Sequence, residues 1–283
     1  MIGSSEKERF TVIENVADRG IALPPFSYKS ISVVNILGIP FHSLKLNQAV
    51  DAIIQFIAEK KPRQVVLSNA YTVSLAQQDS ELASLLKKAD LVLADGMSII
   101  WGASYIGVRL PQRVAGPDLT EALCAESTKR KFRIFLMGSS SENLVQLTRK
   151  LNQRWPGIQI VGTYSPTMCA KLSEEENLHI IHEIASANPD ILLVGMSCPK
   201  QEKWIAANLS RLPVPVSLGV GAAFDFLSGS IPRAPLVLQQ NGLEWLYRLW
   251  REPRRLWKRY LLGNGVFLLL LFKQYIRSRS LIQ

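Results

Sequence analysis

Asp95-Gly96 closes a short apolar run, Leu91–Ala94, and this pair is the first candidate for chemistry. A carboxylate at the carboxyl end of a parallel strand faces the ligand crevice of an α/β sheet. There it can take a proton as a general base, and the glycine after it permits a tight turn and close backbone approach. Asp-Gly is equally at home in an ordinary turn, so the pair needs company. Asn69 ends a second apolar run, Gln64–Leu67, and would share that edge. Its amide can bind a sugar or base, or cap the helix that follows. Arg113-Val-Ala-Gly116-Pro-Asp118 joins a permanent cation, a glycine and a carboxylate at a helix start. Arg113 then clamps a phosphate, or is a surface residue beside a capping Asp118. Cys198-Pro199-Lys200-Gln201-Glu202 crowds polar groups onto a strand-to-helix junction. The amides of that junction favour an anion, although proline near the first position and glutamate in the first turn also make an ordinary helix start. Gly138-Ser-Ser-Ser reads as a phosphate cradle or as a capping box running from Ser139 to Glu142.

Other chemistries are absent from the sequence. Gly219-Val-Gly221-Ala-Ala-Phe224 approaches a dinucleotide fingerprint, but Phe224 fills the third small position. The acidic residue about twenty positions on, Glu244, falls in an expected helix rather than at a strand end, so NAD is rejected. No Asp-x-Asp, GxSxG, HExxH or GxxxxGK[ST] occurs. His42, His179 and His182 form no triad, and the latter two are expected on a helix surface. Cys124, Cys169 and Cys198 show no metal or disulfide spacing, which fits a reduced, cytosolic chain. No signal peptide opens it.

The elements that must position these residues alternate in type. Strands are expected at 32–36, 64–67, 91–94, 133–137, 159–161, 191–194 and 216–220, with helices at 46–59, 142–155 and 174–187. Val50, Ile53, Ile54 and Ile57 mark the inner face of the first helix. The alternation predicts an α/β fold, a Rossmann-like and mostly parallel sheet with helices on both faces. Right-handed crossovers would gather the loops that follow the strands on one edge. Residues 1–30 read as a flexible arm, 31–242 as the core and 243–283 as a basic, amphipathic, helical appendage.

The 283 residues carry a net charge of +10, 47% hydrophobic residues, 17 Gly and 15 Pro. That balance excludes collagen, full-length disorder and a polytopic membrane protein. From Arg233 onward ten basic side chains face only Glu244 and Glu252, so most of the charge sits in the tail. An anionic partner follows: nucleic acid, anionic lipid or a diphosphate. Leu243, Leu246, Tyr247 and Trp250 form one apolar stripe; Leu256, Trp257, Tyr260 and Leu261 form another beyond Pro253. The run Val266–Phe272 is far short of the roughly 20 residues that span a bilayer. Aromatic residues interleaved with arginine suit a helix in the membrane interface; a helix pair packed on its own domain is the plainer alternative.

Taken together these segments resemble the WecG/TagA/CpsF family of bacterial glycosyltransferases (glycosyltransferase family 26). The matching stretches are Asn69-Ala70, ADLVLADGMSIIWGA (89–103), RVAGPDL (113–119), PDILLVGMSCPKQEKWI (189–205), GVGAAFDFLSGSIPRAP (219–235) and LEWLYRLWREPRRLWKRYL (243–261). The resemblance implies inverting, metal-independent transfer of a sugar from a UDP-sugar to an undecaprenyl-diphosphate-linked saccharide. The products would be cell-surface polymers, made at the inner face of the cytoplasmic membrane by a peripheral enzyme without cofactor or nucleic acid. It implies Asp95 as catalytic base, and Asn69, Arg113, Gly116, Asp118, Gln201, Glu202, Asp225 and Arg233 as substrate-binding residues. Arg248, Arg254, Arg255 and Arg259 would meet the diphosphate and the membrane, and no residue would bind metal. Self-association is left open. Two departures stand out: Leu67 replaces a usual threonine, and Tyr71 stands where many members have glutamate. Without Asp-x-Asp, the departing diphosphate needs positive charge from elsewhere, and tail arginines can supply it bidentately. The rivals are a nucleic-acid-binding protein with a basic, aromatic tail and a nonenzymatic membrane-docked scaffold.

Overall fold

The computed structural model describes residues 28–167 and 172–280. Among them a 3-10 turn at Tyr28–Ser30 leads into an antiparallel hairpin, β1 (Val33–Ile36) and β2 (Ile39–His42). There follow α1 (Leu46–Glu59), β3 (Arg63–Ser68), α2 (Ala70–Ala76), α3 (Ser80–Lys88), β4 (Leu91–Ala94), α4 (Met97–Tyr105), α5 (Gly116–Arg130) and β5 (Arg133–Gly138). The second half runs through α6 (Ser141–Arg154), β6 (Gln159–Tyr164), α7 (Glu174–Ala187), β7 (Ile191–Gly195), α8 (Lys200–Asn208), β8 (Val216–Gly219) and α9 (Ala223–Ser228). The tail comprises α10 (Leu236–Gln240), α11 (Glu244–Arg251), α12 (Pro253–Trp257), a π-helical turn (Lys258–Leu262) and α13 (Gly263–Ser280).

Six strands form one fully parallel sheet in the order β4-β3-β8-β7-β5-β6. Its central strands read as continuous apolar runs because helices cover both faces. Alternate residues serve opposite layers: Val65 and Leu67 pack with α1, α5, α6 and α9, while Val66 and Val92 pack with the hairpin, α2, α3, α4 and α13. Farther along, Phe135, Met137, Leu192 and Val194 meet Ile180 and Ile184 of α7 and Ile205 of α8. Each such fully buried side chain contributes roughly 1.5–3 kcal/mol of transfer free energy.

Three expectations are corrected. The strand expected at 32–36 does not join the sheet; it pairs with β2, which sequence reading missed, and His42 Nδ1 accepts the Val92 N–H (3.0 Å) to tie the hairpin to β4. The capping box does not start at Ser139. Gly138 (φ 111°) and Ser139 (φ 63°) hold left-handed backbone, so the helix enters one residue later and Ser140 Oγ accepts the Asn143 N–H. Asp118 is no cap either: α5 starts at Gly116 and places it in the first turn.

The tail packs on the body. Phe267 and Leu271, from the apolar run, are fully buried against α2 and α4. Gly102 makes room, since a Cβ there would lie 3.0 Å from the Phe267 ring. At the other end, Tyr28 donates its hydroxyl to Glu59 (2.8 Å) and sets its ring edge against Phe56. The rest of the expected arm, residues 1–27, lies outside the described residues, as does Cys169.

Candidate active site

The loops after β3, β4, β5, β7 and β8 surround one cavity of about 1450 Å³, which the tail closes from above with α11, α12 and the π-helical turn. Parallel strands bring all these loops to one edge, where open α/β sheets bind ligands.

Asp95 follows β4 directly, its N–H bonded to the Ser68 carbonyl (2.9 Å) of the adjacent strand. Gly96 (φ 121°) turns the chain into α4 with backbone that side-chain-bearing residues rarely adopt. The Asp95 carboxylate lines the cavity and makes no hydrogen bond among the described residues. Burial pushes its pKa above the ordinary carboxylate value; Glu244 pushes the same way, while Arg113, Arg259 and Arg248 pull it back. The result is an unencumbered carboxylate of increased basicity beside three fixed cations.

Those cations are held differently. Arg113 precedes α5 and donates to Glu244 of α11 (2.8 Å); Glu244 also accepts from Arg233 (3.2 Å), and Arg233 pairs with Asp118. The four side chains form a charge square that fastens the first long tail helix to the body. Asp118 and Arg233 sit in this square, outside the cavity wall, whereas Arg113 and Gly116 line the wall. Arg248 lies over the Phe226 ring (5.1 Å), and Arg259 over the Tyr71 ring (5.2 Å). Tyr71, one of the two departures noted in the sequence, is thus the platform for a cavity arginine. Arg255 lines the cavity and pairs with Glu252 (2.6 Å). Arg254 does not line it and is exposed.

Asn69 both caps and lines. Its Oδ1 accepts the Thr72 N–H (3.1 Å), so the amide edge is fixed at the end of β3. Gln201 and Glu202, in the first turn of α8, are buried in the cavity floor. Asp225 of α9 accepts from the Asn143 amide (3.0 Å). Burial raises its pKa against the pull of Arg255 and Arg248. Glu244, Trp245, Tyr260, Ser139 and Leu67 also line the cavity. Sequence reading missed Glu244, Trp245 and Tyr260 because a helical stripe indicates a face without indicating what lies opposite. Among the described residues no group of three or more His, Cys, Asp or Glu is placed to hold a metal ion. His179 and His182 are exposed on α7.

A family model described as "Glycosyl transferase WecG/TagA/CpsF family" matches residues 34–281. A Bacillus subtilis (strain 168) protein, N-acetylglucosaminyldiphosphoundecaprenol N-acetyl-beta-D-mannosaminyltransferase, is 31% identical over 224 residues, covering 79% of this chain and 85% of the relative. A protein of the same name from Bacillus spizizenii (strain ATCC 23059 / NRRL B-14472 / W23) is 30% identical over 206 residues, covering 73% and 77%.

Proposed function

This chain belongs to the WecG/TagA/CpsF family of glycosyltransferases, and from that premise we propose that it moves a sugar from a UDP-sugar to a saccharide carried on undecaprenyl diphosphate. The observation that carries the reading is Asp95, hydrogen-bond-free at a strand end, facing Arg113, Arg248 and Arg259 across one cavity. Asp95 takes the proton of the acceptor hydroxyl as that oxygen attacks C1 of the donor sugar. The bond from C1 to the diphosphate oxygen breaks in the same displacement, so the anomeric centre inverts. UDP departs with the electron pair, and the arginines stabilise the charge it acquires. This assigns to side chains the role a divalent cation plays elsewhere. The relatives' names support an N-acetylhexosamine donor and an N-acetylglucosaminyl-diphosphoundecaprenol acceptor.

We place the reaction at the inner face of the cytoplasmic membrane, with the tail as the docking surface. Support comes from α11, whose Leu246 and Trp250 point outward, and from exposed Trp257, Leu261, Leu262, Leu268 and Leu269 nearby in the chain. Exposed Arg251, Arg254 and Lys258 accompany them, a pairing suited to anionic headgroups. No helix among the described residues is long and apolar enough to cross a membrane.

The decisive experiment replaces Asp95 with Asn and measures transfer to a polyprenyl-diphosphate saccharide. A loss of about 10²–10⁴-fold is expected, with UDP still raising the melting temperature. Transfer at the wild-type rate would remove Asp95 as base. Transfer that EDTA stops and Mg²⁺ restores would remove the arginines from the role given to them.

A further inference from the structure

Glu202 is a charged residue type in the floor of the cavity, 2% exposed, with no cation in salt-bridge range among the described residues. Its Oε1 accepts from the Gln201 amide (2.9 Å), while Oε2 is buried and has no hydrogen-bond partner among the described residues. A carboxylate left in that state would carry an uncompensated buried charge, and such groups take up a proton instead.

Its surroundings are a chain of polar contacts joining three strand ends. Gln201 Oε1 accepts the Gly221 N–H (3.0 Å) just past β8. The Glu202 backbone carbonyl accepts from Gln64 of β3 (3.0 Å). Cys198, before α8, lies 3.4 Å from Thr72 Oγ1 of α2, and Thr72 donates to the Asn69 amide oxygen. Gln201 is packed so closely on Gly219 that a Cβ there would fall 2.6 Å from its amide nitrogen. The amide of Gln201 therefore has one orientation, provided its partner at Glu202 presents an acceptor.

We propose that Glu202 is a positioning residue that works as a neutral carboxylic acid, orienting the Gln201 amide and so bracing the floor between the ends of β7 and β8. This goes beyond the transfer reaction assigned to Asp95 and rests on it only for the activity readout. The ionisable and charged groups facing Glu202 are Cys198 from the preceding loop and Arg259 from the tail; β3 and α2 present the uncharged Gln64 and Thr72. Burial moves the carboxyl upward from its ordinary range, while the Gln201 amide, the neighbouring backbone N–H and Cys198 thiol, and the charge of Arg259 oppose that shift. The sign follows: a raised carboxyl contributes its stabilisation fully at low pH and loses it as pH rises through the folded-state pKa. Ionisation would put a charge beneath the substrate and draw Arg259 toward the floor, so transfer should fall on the alkaline side.

The test compares Glu202→Gln and Glu202→Ala in the full chain. Glutamine keeps the acceptor for Gln201 and puts an N–H₂ where the acid carries its O–H. Relative to E202A, E202Q should restore most of the transfer at neutral pH, while it loses the alkaline fall and lacks the infrared band of a protonated carboxyl that wild type shows. E202A should lose about tenfold or more, the cost of one unmade buried hydrogen bond. If E202A fails to fold, E202Q alone carries the comparison. An alkaline fall and a carboxyl band unchanged in E202Q would overturn the proposal, as would E202Q being folded yet inactive. Absence of transfer by wild type from any UDP-sugar would count against the function assigned to the cavity; the infrared comparison, read on resting protein, would still decide Glu202.

Discussion

Two helices of this molecule carry the same apolar spacing and turn it in opposite directions. In α1, Val50, Ile53, Ile54 and Ile57 recur at i, i+3, i+4 and i+7, and all are buried against the sheet. In α11 and the residue before it, Leu243, Leu246, Tyr247 and Trp250 repeat that spacing, yet Trp250 is 74% exposed and Leu246 is also exposed. What turns α11 over is its other face. Glu244 is engaged by Arg113 and Arg233, Arg248 reaches into the cavity over Phe226, and Trp245 lies 6.0 Å from the Tyr260 ring. Ion pairs and a ligand cavity have taken the inward side, so the apolar side is left to whatever lies outside. Exposing large side chains forgoes roughly 1.5–3 kcal/mol each relative to burial. The period of a helix therefore shows that a face exists, while the partner of that face is decided elsewhere.

The comparison can be broken most forcefully at α1. Ile53→Asp should abolish folding, because it buries an unpaired charge in a fully enclosed position; circular dichroism of a cooperatively folded variant would contradict the assignment. Next in size is Phe267→Ala in α13. It tests whether the tail's apolar run is core, and it should cost about 3–5 kcal/mol, read as a lower urea midpoint. An unchanged midpoint would make the whole tail an outward-facing element and erase the contrast within it. Smaller in energy is Arg248→Ala, which should slow transfer about 10–100-fold with little change in the melting temperature. A slowed enzyme with an intact fold sharpens the view that the inward face of α11 belongs to the site.

The sheet and the loops on its carboxyl edge were legible in the sequence because apolar run, turn and helix alternate, and chain connectivity then dictates where the loops gather. Asp95, Asn69, Gln201 and Arg113 each follow or precede such a run, so their convergence could be anticipated. The charge square could not. Arg233 and Asp118 are separated by more than a hundred residues, and only the fold reveals that they satisfy one another beside the cavity rather than lining it. Ser139 shows a different gap: a capping-box pattern carries no warning that Gly138 and Ser139 will adopt left-handed backbone. Of the hairpin only β2 escaped: Pro40 interrupts its four residues, and a proline argues against a strand in so short a run.

The finest test of the comparison changes α11 on its outward side only. Leu246→Ser with Trp250→Ser removes two exposed apolar groups that touch neither the charge square nor the cavity wall. On the folded state the effect should be within about 0.5 kcal/mol, the ordinary range for surface substitutions, and short-chain, detergent-free acceptor analogues should be glycosylated as by wild type. On vesicles containing anionic lipid, retention in sedimentation should fall about tenfold or more, since each buried apolar side chain strengthens interfacial binding. Added salt should weaken wild-type binding further through Arg251, Arg254 and Lys258. If instead the double variant loses stability and keeps its vesicle binding, the stripe is covered by protein, and α11 and α1 obey the same rule after all.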